Sequence, residues 1–259
     1  MVYCIFLSAR HWPRSTGEES SAASDVYKGK EVIAIVDSRR SPGTSVVKEA
    51  EALGIPIYKG HVISSARSGS EGLNRVELST WCRSTGELTA HKGMIDCQVL
   101  ALSGGLSPVV HLHSQSGAKP VFDSHVAAFL PGASVQKERS VGACNGTFDL
   151  GDCFREGIQG ALAAANVRGF SAIGVDIPAT DHKQHAPIEA LWEVPSNILD
   201  GARPKKFVDY QNDTAASDIR LAAREGYRSI EHVKRYTALG FGTDQGKLGN
   251  INGLAILAK

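Results

Sequence analysis

An α/β fold closed by a small helical region is what this sequence predicts, and three observations carry the prediction. "EVIAIVDSRR" holds an unbroken apolar run, Val32 to Val36, halted by Asp37. "TSVVKEAEALG" follows with helical spacing and "IPIYKG" returns to β-branched residues, so the order is strand, helix, strand with short links. Beyond Phe207 the chain becomes rich in alanine and charge at helical period.

The elements can be taken in order. "MVYCIFLSA" has no basic leader before its apolar run and reads as a buried strand rather than a signal peptide. Residues 10–30 are polar and serine-rich, with one helix expected near Ser20 to Tyr27. Val32 to Val36 is wholly apolar, which predicts a strand buried on both faces, as in a parallel sheet. In the helix after it Thr44 is the expected cap, Val47, Ala50 and Leu53 the packing face, and Gly54 the stop. Ile55 to Arg67 is the second strand of the unit, and Gly72 to Asp96 alternates around "STGE" as an antiparallel hairpin does.

"QVLALSGGLSP" is a further strand running into a double glycine, and "GACNGTFDLGDCFREGIQGALAAANVRG" reads as strand, Gly-Asp turn and a helix from near Phe154 to Gly169. Pro178, Pro187, Pro195 and Pro204 mark a linker-like stretch. From Phe207 the chain reads as helical, capped by Thr214 or Ser217, with Ile219, Ala222 and Ala223 on one face and a break at Gly226.

Composition narrows the function classes. The 259 residues are 42% hydrophobic and 21% charged, which is globular, and the net charge of +1 with no basic block excludes a protein that tracks nucleic acid. No apolar run approaches the roughly 20 residues that span a bilayer. The five cysteines form no CxxC pair and read as reduced thiols of a cytoplasmic protein rather than metal ligands.

Chemistry-bearing positions are few. Asp37 ends a buried strand of a βαβ unit, where dinucleotide folds place an acid against the adenosine ribose, although no GxGxxG precedes it. Ser103, Gly104 and Gly105 lie just past the next buried strand, where paired glycines let a backbone approach a ligand. Gly151 and Asp152 stand at the mouth of a helix, where N–H groups suit an anion, or where Asp152 is simply the N-cap. His111 and His113 would share a strand face, His182 and His185 sit in the proline-rich stretch, and neither pair makes a metal site. No GxSxG surrounds any serine, so hydrolase chemistry is unsupported.

Read together, "LALSGGLSPVVHLHSQSGAK", "LPGASVQKERSVGACNGTFDLGDCFREGIQGALAAA" and "FVDYQNDTAASDIRLAAREGYRSIEHVKRYTALGFGTDQGK" resemble the α subunit of heterotetrameric sarcosine oxidase, from about Glu31 onward. That resemblance implies a partial fold of the flavoprotein type with two dinucleotide-binding domains and a small C-terminal helical domain. It divides the chain into an inserted NAD-type α/β domain over 1–97, incomplete at its start, a return segment of the FAD/NAD-type domain over 98–175, a linker over 176–204 and a helical domain over 205–259. It further implies NAD in this subunit, FMN at a subunit interface, other subunits as partners, and oxidative demethylation of sarcosine or a related N-methyl amino acid with tetrahydrofolate as one-carbon acceptor. Lys234, Arg235, Thr243 and Lys247 become candidates for a flavin phosphate or a subunit contact.

The glycine fingerprint and the folate domain of such subunits are missing, so the chain reads as a truncated form, inactive alone. A cofactor-free subunit-docking module is the alternative. Where related helical domains use cysteines for an iron–sulfur cluster, Val208, Asp209, Tyr210 and Gln211 stand here, so no cluster is expected.

Overall fold

The computed structural model describes residues 3–8, 31–171, 173–180, 187–196 and 205–259. The chain divides into two compact units, Met1–Gly105 with Glu189–Lys259, and Leu106–Ile188. Its architecture is mixed α/β. The helix expected near Ser20 to Tyr27 and the pair His182 and His185 lie outside the described residues.

In the first unit, β1 (Tyr3–Ser8), β2 (Glu31–Asp37), β3 (Ile57–Lys59) and β7 (Val99–Ser103) form one sheet in the order β3-β2-β1-β7. β2 and β3 are parallel, as the βαβ reading requires. β1 lies antiparallel to both β2 and β7, so β2, β3 and β7 all point the same way around a reversed strand. Between β2 and β3 runs α1 (Thr44–Ala52), and Gly54 closes it at φ +68°. Two details differ from the expectation. Gly43, not Thr44, is the N-cap and no side chain caps the helix, while Leu53 is 74% exposed because only Ala50 of the expected face is buried.

The stretch read as one strand, Ile55 to Arg67, breaks at Gly60 (φ +68°) into β3 and β4 (His61–Gly69). β4, β5 (Gly72–Cys82) and β6 (Glu87–Asp96) form a separate antiparallel sheet, and β5–β6 is the hairpin read around "STGE". The core gathers Ala34 and Val36 of β2 with Val76 and Leu78 of β5 and Cys97. Among the apolar residues of β2, burial is complete at Ala34 and Val36 and partial at Ile33 and Ile35, not equal on both faces as a sheet covered on two sides would show.

The C-terminal part of this unit is not helical from Phe207. It begins with a small hairpin, β10 (Phe207–Asp209) and β11 (Thr214–Ala215), before the helices α4 (Ala216–Arg224), α5 (Ile230–Thr237) and α6 (Asn250–Leu257). The cap of α4 is neither Thr214 nor Ser217. Ala215 holds that place, with its N–H donating to Asp218 Oδ2 at 2.8 Å. Val208, Ala216, Ile219, Ala222, Val233, Leu239 and Ile256 make a second core. Leading into this region, Glu193 pairs with Lys206 (2.9 Å) and with Arg220, and Glu189 pairs with Arg83 at 3.2 Å.

The second unit holds α2 (His111–Gln115), the hairpin β8 (Val121–Asp123) and β9 (Ala128–Leu130), and α3 (Leu150–Val167). His111 and His113 lie on a short helix, not on a strand face. His113 is buried, its Nδ1 facing Glu138 Oε1 at 2.9 Å and its Nε2 accepting from Gly132 N at 3.0 Å. The strand expected at "GACN" is a 3-10 turn, Gly142–Asn145, and α3 starts at Leu150 rather than near Phe154. Glu156 of α3 reaches back to the Gly142 N–H (2.8 Å) and the Thr147 hydroxyl, and these bonds, Thr147 foremost, hold its carboxyl below the ordinary value.

Candidate functional site

Two of the expected segments meet at one edge. Tyr3 pairs with Asp37 on one side and with Ser103 on the other, so the ends of β2 and β7 stand two strands apart, roughly 10 Å. Both strands run toward this edge, and the carboxyl end of parallel strands is where open α/β sheets bind ligands. Ser103, Gly104 and Gly105 are exposed there, and a Cβ on either glycine would meet nothing within 4 Å, so their backbone is open to approach.

Asp37 itself is turned inward. It is 1% exposed, and its carboxylate takes the Arg39 N–H (2.9 Å), Nε (3.1 Å) and Nη2 (2.8 Å). Burial pushes its carboxyl up to about 6, against the pull of the Arg39 backbone N–H. By binding Arg39 it braces the turn that leads on to the exposed Arg40.

Residues of that turn line a cleft of about 450 Å³ that sequence reasoning missed, its full lining being Ser38, Arg40, Trp81, Cys82, Arg83, Ser84 and Glu189. The Trp81 indole N–H donates to the Ser38 carbonyl at 3.0 Å and so joins the end of β5 to the turn after β2. Ser38 is 3% exposed, and its Oγ has no hydrogen-bond partner among the described residues. Arg40 is exposed and makes no ion pair among the described residues. Its stem passes Gly60, where a Cβ would stand 3.2 Å from Arg40 Cγ. Cys82 Sγ lies 3.0 Å from Ser84 Oγ, and hydrogen bonds from Ser84 and Thr85 pull its thiol down to about 6. The signal for this cleft was "DSRR", an acid followed by donors at a strand end; its far wall on β5 had no local signal.

The other expected residues fall elsewhere. Gly151 and Asp152 are in the second unit, at the start of α3. Asp149, not Asp152, is the N-cap, accepting from the Asp152 N–H at 3.2 Å, while Asp152 pairs with Arg155. Thr180 Oγ1 stands 2.6 Å from where a Gly151 Cβ would be. Two carboxylates and a threonine thus occupy this helix end, which leaves it poorly suited to an anion.

In the C-terminal region Lys234 lies 3.9 Å from Glu231, and Arg235 and Lys247 are exposed. Thr243 gives both its N–H and its hydroxyl to Gln211 Oε1, the latter at 2.9 Å. The glycines between them serve packing. A Cβ on Gly240 or Gly246, both at positive φ, would collide with the Asn250 side chain at 2.2 and 2.1 Å, and one on Gly253 with Leu239 at 2.5 Å. Asp209 accepts from the N–H groups of Gly240 (2.7 Å), Gln211 (2.8 Å) and Asn212 (3.1 Å).

A dinucleotide needs a partner for its ribose edge and an open backbone for its phosphates. The edge offers Ser38, Arg40 and the Ser103–Gly105 turn for these, with Asp37 as the support beneath, and so fits such a ligand in part. Among the described residues no group of His, Cys, Asp and Glu could hold a metal ion, and no helix is long and apolar enough to cross a membrane.

Residues 203–259 match the sarcosine oxidase A3 domain. Over 232 residues the chain is 33% identical to sarcosine oxidase subunit alpha of Rhizobium meliloti (strain 1021), covering 89% of this chain and 22% of that protein. It is 31% identical over 237 residues to the subunit alpha of Corynebacterium sp. (strain P-1), covering 91% and 24%. For strain U-96 of the same genus the identity is 32%, over 88% and 23%. Among solved structures, L-proline dehydrogenase from P. horikoshii shares the fold, with a TM-score of 0.54 over 82% of this chain and 42% of that one at 17% identity. The chain spans less than a quarter of the curated relatives, and along about nine-tenths of its own length it corresponds to a segment of a sarcosine oxidase alpha subunit.

Proposed function

We propose that this chain is a component of a sarcosine oxidase-type oxidoreductase, supplying the NAD-binding sheet edge and a helical domain that contacts other subunits. Residues 1–97 serve as the inserted NAD-type domain, to which the return segment 98–175 contributes β7; 176–204 is the linker and 205–259 the helical domain. The observation that carries this reading is the shared pairing of Tyr3, which puts Asp37 and Ser103 at one carboxyl-terminal edge. The named relatives supply the reaction class.

In the assembled enzyme the reaction is oxidative demethylation of sarcosine or a related N-methyl amino acid, with the one-carbon unit passed to tetrahydrofolate, in the cytoplasm. A bound flavin supplies the two-electron acceptor for that oxidation. This chain's residues bind and orient: Asp37 braces the turn that holds Ser38 and Arg40, and Ser103, Gly104 and Gly105 leave their backbone open to NAD. Arg235 and Lys247, exposed cations beside the Thr243 turn, face an FMN phosphate or an acidic subunit surface, with Lys234 behind them.

The chain alone therefore binds NAD and does not oxidise sarcosine. Calorimetric titration with NAD and an assay for sarcosine turnover test both halves. Turnover by the isolated chain, or no heat with NAD, would sink the corresponding half. A cofactor-free docking module is favoured by a different observation. Phe207, Tyr210, Phe241 and Leu248 of the helical region are 41–67% exposed, an apolar set suited to a partner subunit. That reading predicts capture of the other subunits with no NAD binding at all.

A further inference from the structure

We propose that the cleft after β2 takes a phosphate group, and that on the dinucleotide reading above, on which this part rests, the group is the 2′-phosphate of a phosphorylated nicotinamide dinucleotide. An acid at the end of β2 selects a free ribose by accepting its hydroxyls, whereas an arginine there accommodates a 2′-phosphate. In this chain the acid is withdrawn, with its carboxylate held by Arg39. What reaches the cleft from the same turn is the exposed Arg40, without an ion pair among the described residues, and beside it lies Ser38, which lines the cleft and whose buried Oγ has no partner among the described residues.

Arg83 and Ser84 add a second guanidinium and a second hydroxyl from the end of β5. Donors of this kind call for a ligand rich in acceptor oxygens, and guanidinium groups meet a phosphate with paired hydrogen bonds. Two groups oppose it. Glu189 holds Arg83 at 3.2 Å, and Cys82 carries negative charge when its thiol is ionised. Both therefore tune the affinity downward, and because Glu189 pairs with Arg83 and Cys82 with Ser84, removing either also frees a donor.

The test is calorimetric titration of the 259-residue chain with NADP+, NAD+, adenosine 2′-monophosphate and inorganic phosphate, repeated on Arg40→Ala, Ser38→Ala, Glu189→Gln and Cys82→Ser. NADP+ is expected to bind at least about tenfold more tightly than NAD+. Arg40→Ala erases that margin, Ser38→Ala narrows it, and Glu189→Gln and Cys82→Ser widen it. Equal affinity for the two dinucleotides, or a preference for NADP+ that survives Arg40→Ala, overturns the proposal and leaves the dinucleotide reading standing. If neither dinucleotide binds but adenosine 2′-monophosphate or phosphate binds through Arg40, the phosphate site stands and the dinucleotide reading falls. Silence from every probe overturns both.

Discussion

Two aspartates end two strands of this protein, and they have opposite fates. Asp37 closes β2 and Asp209 closes β10; both are buried, and each accepts the N–H of the residue two positions on. Asp37 then takes the rest of its bonds from the neighbouring Arg39 side chain. Asp209 takes backbone N–H groups, including one from Gly240, 31 residues away. Burial raises the first carboxyl, whereas at the second, burial is outweighed by hydrogen bonds from Gly240 and Asn212 and the carboxyl sits low. The same residue at the same kind of position is a local brace in one case and a tertiary tie in the other, decided by who donates to it.

The largest way to break this contrast is Asp37→Ala. It strands a buried guanidinium, and a loss of about 3–5 kcal/mol is expected in denaturant unfolding. Asp37→Ala with Arg39→Met removes both charges and recovers most of it; no recovery would mean that the brace is not an ion pair. Asp209→Ala is the counterpart and leaves buried N–H groups unpaired at a cost of about 2–3 kcal/mol. Hydrogen exchange should show that loss at Gly240 and in α4 to α6, and an effect confined to residues 209–212 would refute the long-range tie.

Gly246→Ala should cost about 2 kcal/mol, from left-handed strain together with the clash against Asn250. Thermal unfolding of the Asn250→Ala background, where the clash is relieved, separates the two contributions.

Acidity sharpens the contrast further. A raised carboxyl binds its proton more tightly in the folded chain, so the Asp37 contribution is fullest below its ordinary 3.8 and is lost as pH rises toward about 6. The lowered Asp209 carboxyl contributes above 3.8 and loses that contribution as pH falls below it. Region-resolved hydrogen exchange between pH 3 and pH 7 should therefore move the two regions in opposite directions. The smallest effect is chemical. Cys82, pulled down to about 6, should react with iodoacetamide well before Cys97, which is buried and pushed up. Equal labelling rates at pH 7 would contradict the environment of Cys82.

Long apolar or strongly periodic segments were legible. Val32 to Val36, the "STGE" hairpin and "VLALS" are strands because five or more residues repeat one preference. Short elements were not. Phe207–Asp209 and Thr214–Ala215 are too brief to show period two, although "DYQND" between them has turn composition and Asp213 sits at φ +54°. In "FDLGD" Asp152 was the expected cap, and only the backbone shows that Asp149, three residues earlier, holds that place.

The site was half visible. Asp37 and the Ser103–Gly105 turn were named from their strand ends, but their meeting depends on β1 lying between them, which no local pattern encodes. Of the cleft only the "DSRR" side carried a signal, and its far wall was invisible for a similar reason, because Trp81 meets Ser38 across 43 residues of chain.

The pairs of Glu189 and Glu193 have a consequence for how ions in solution act on the protein. Arg83 and Glu189 are 64% and 30% exposed, whereas Glu193 is only 10% exposed between Lys206 and Arg220. Mobile ions screen the first contact readily and the second hardly at all. Raising salt thus unfastens one end of a short strap while the other stays fixed, and the helical region keeps hold of a segment that the strands have released.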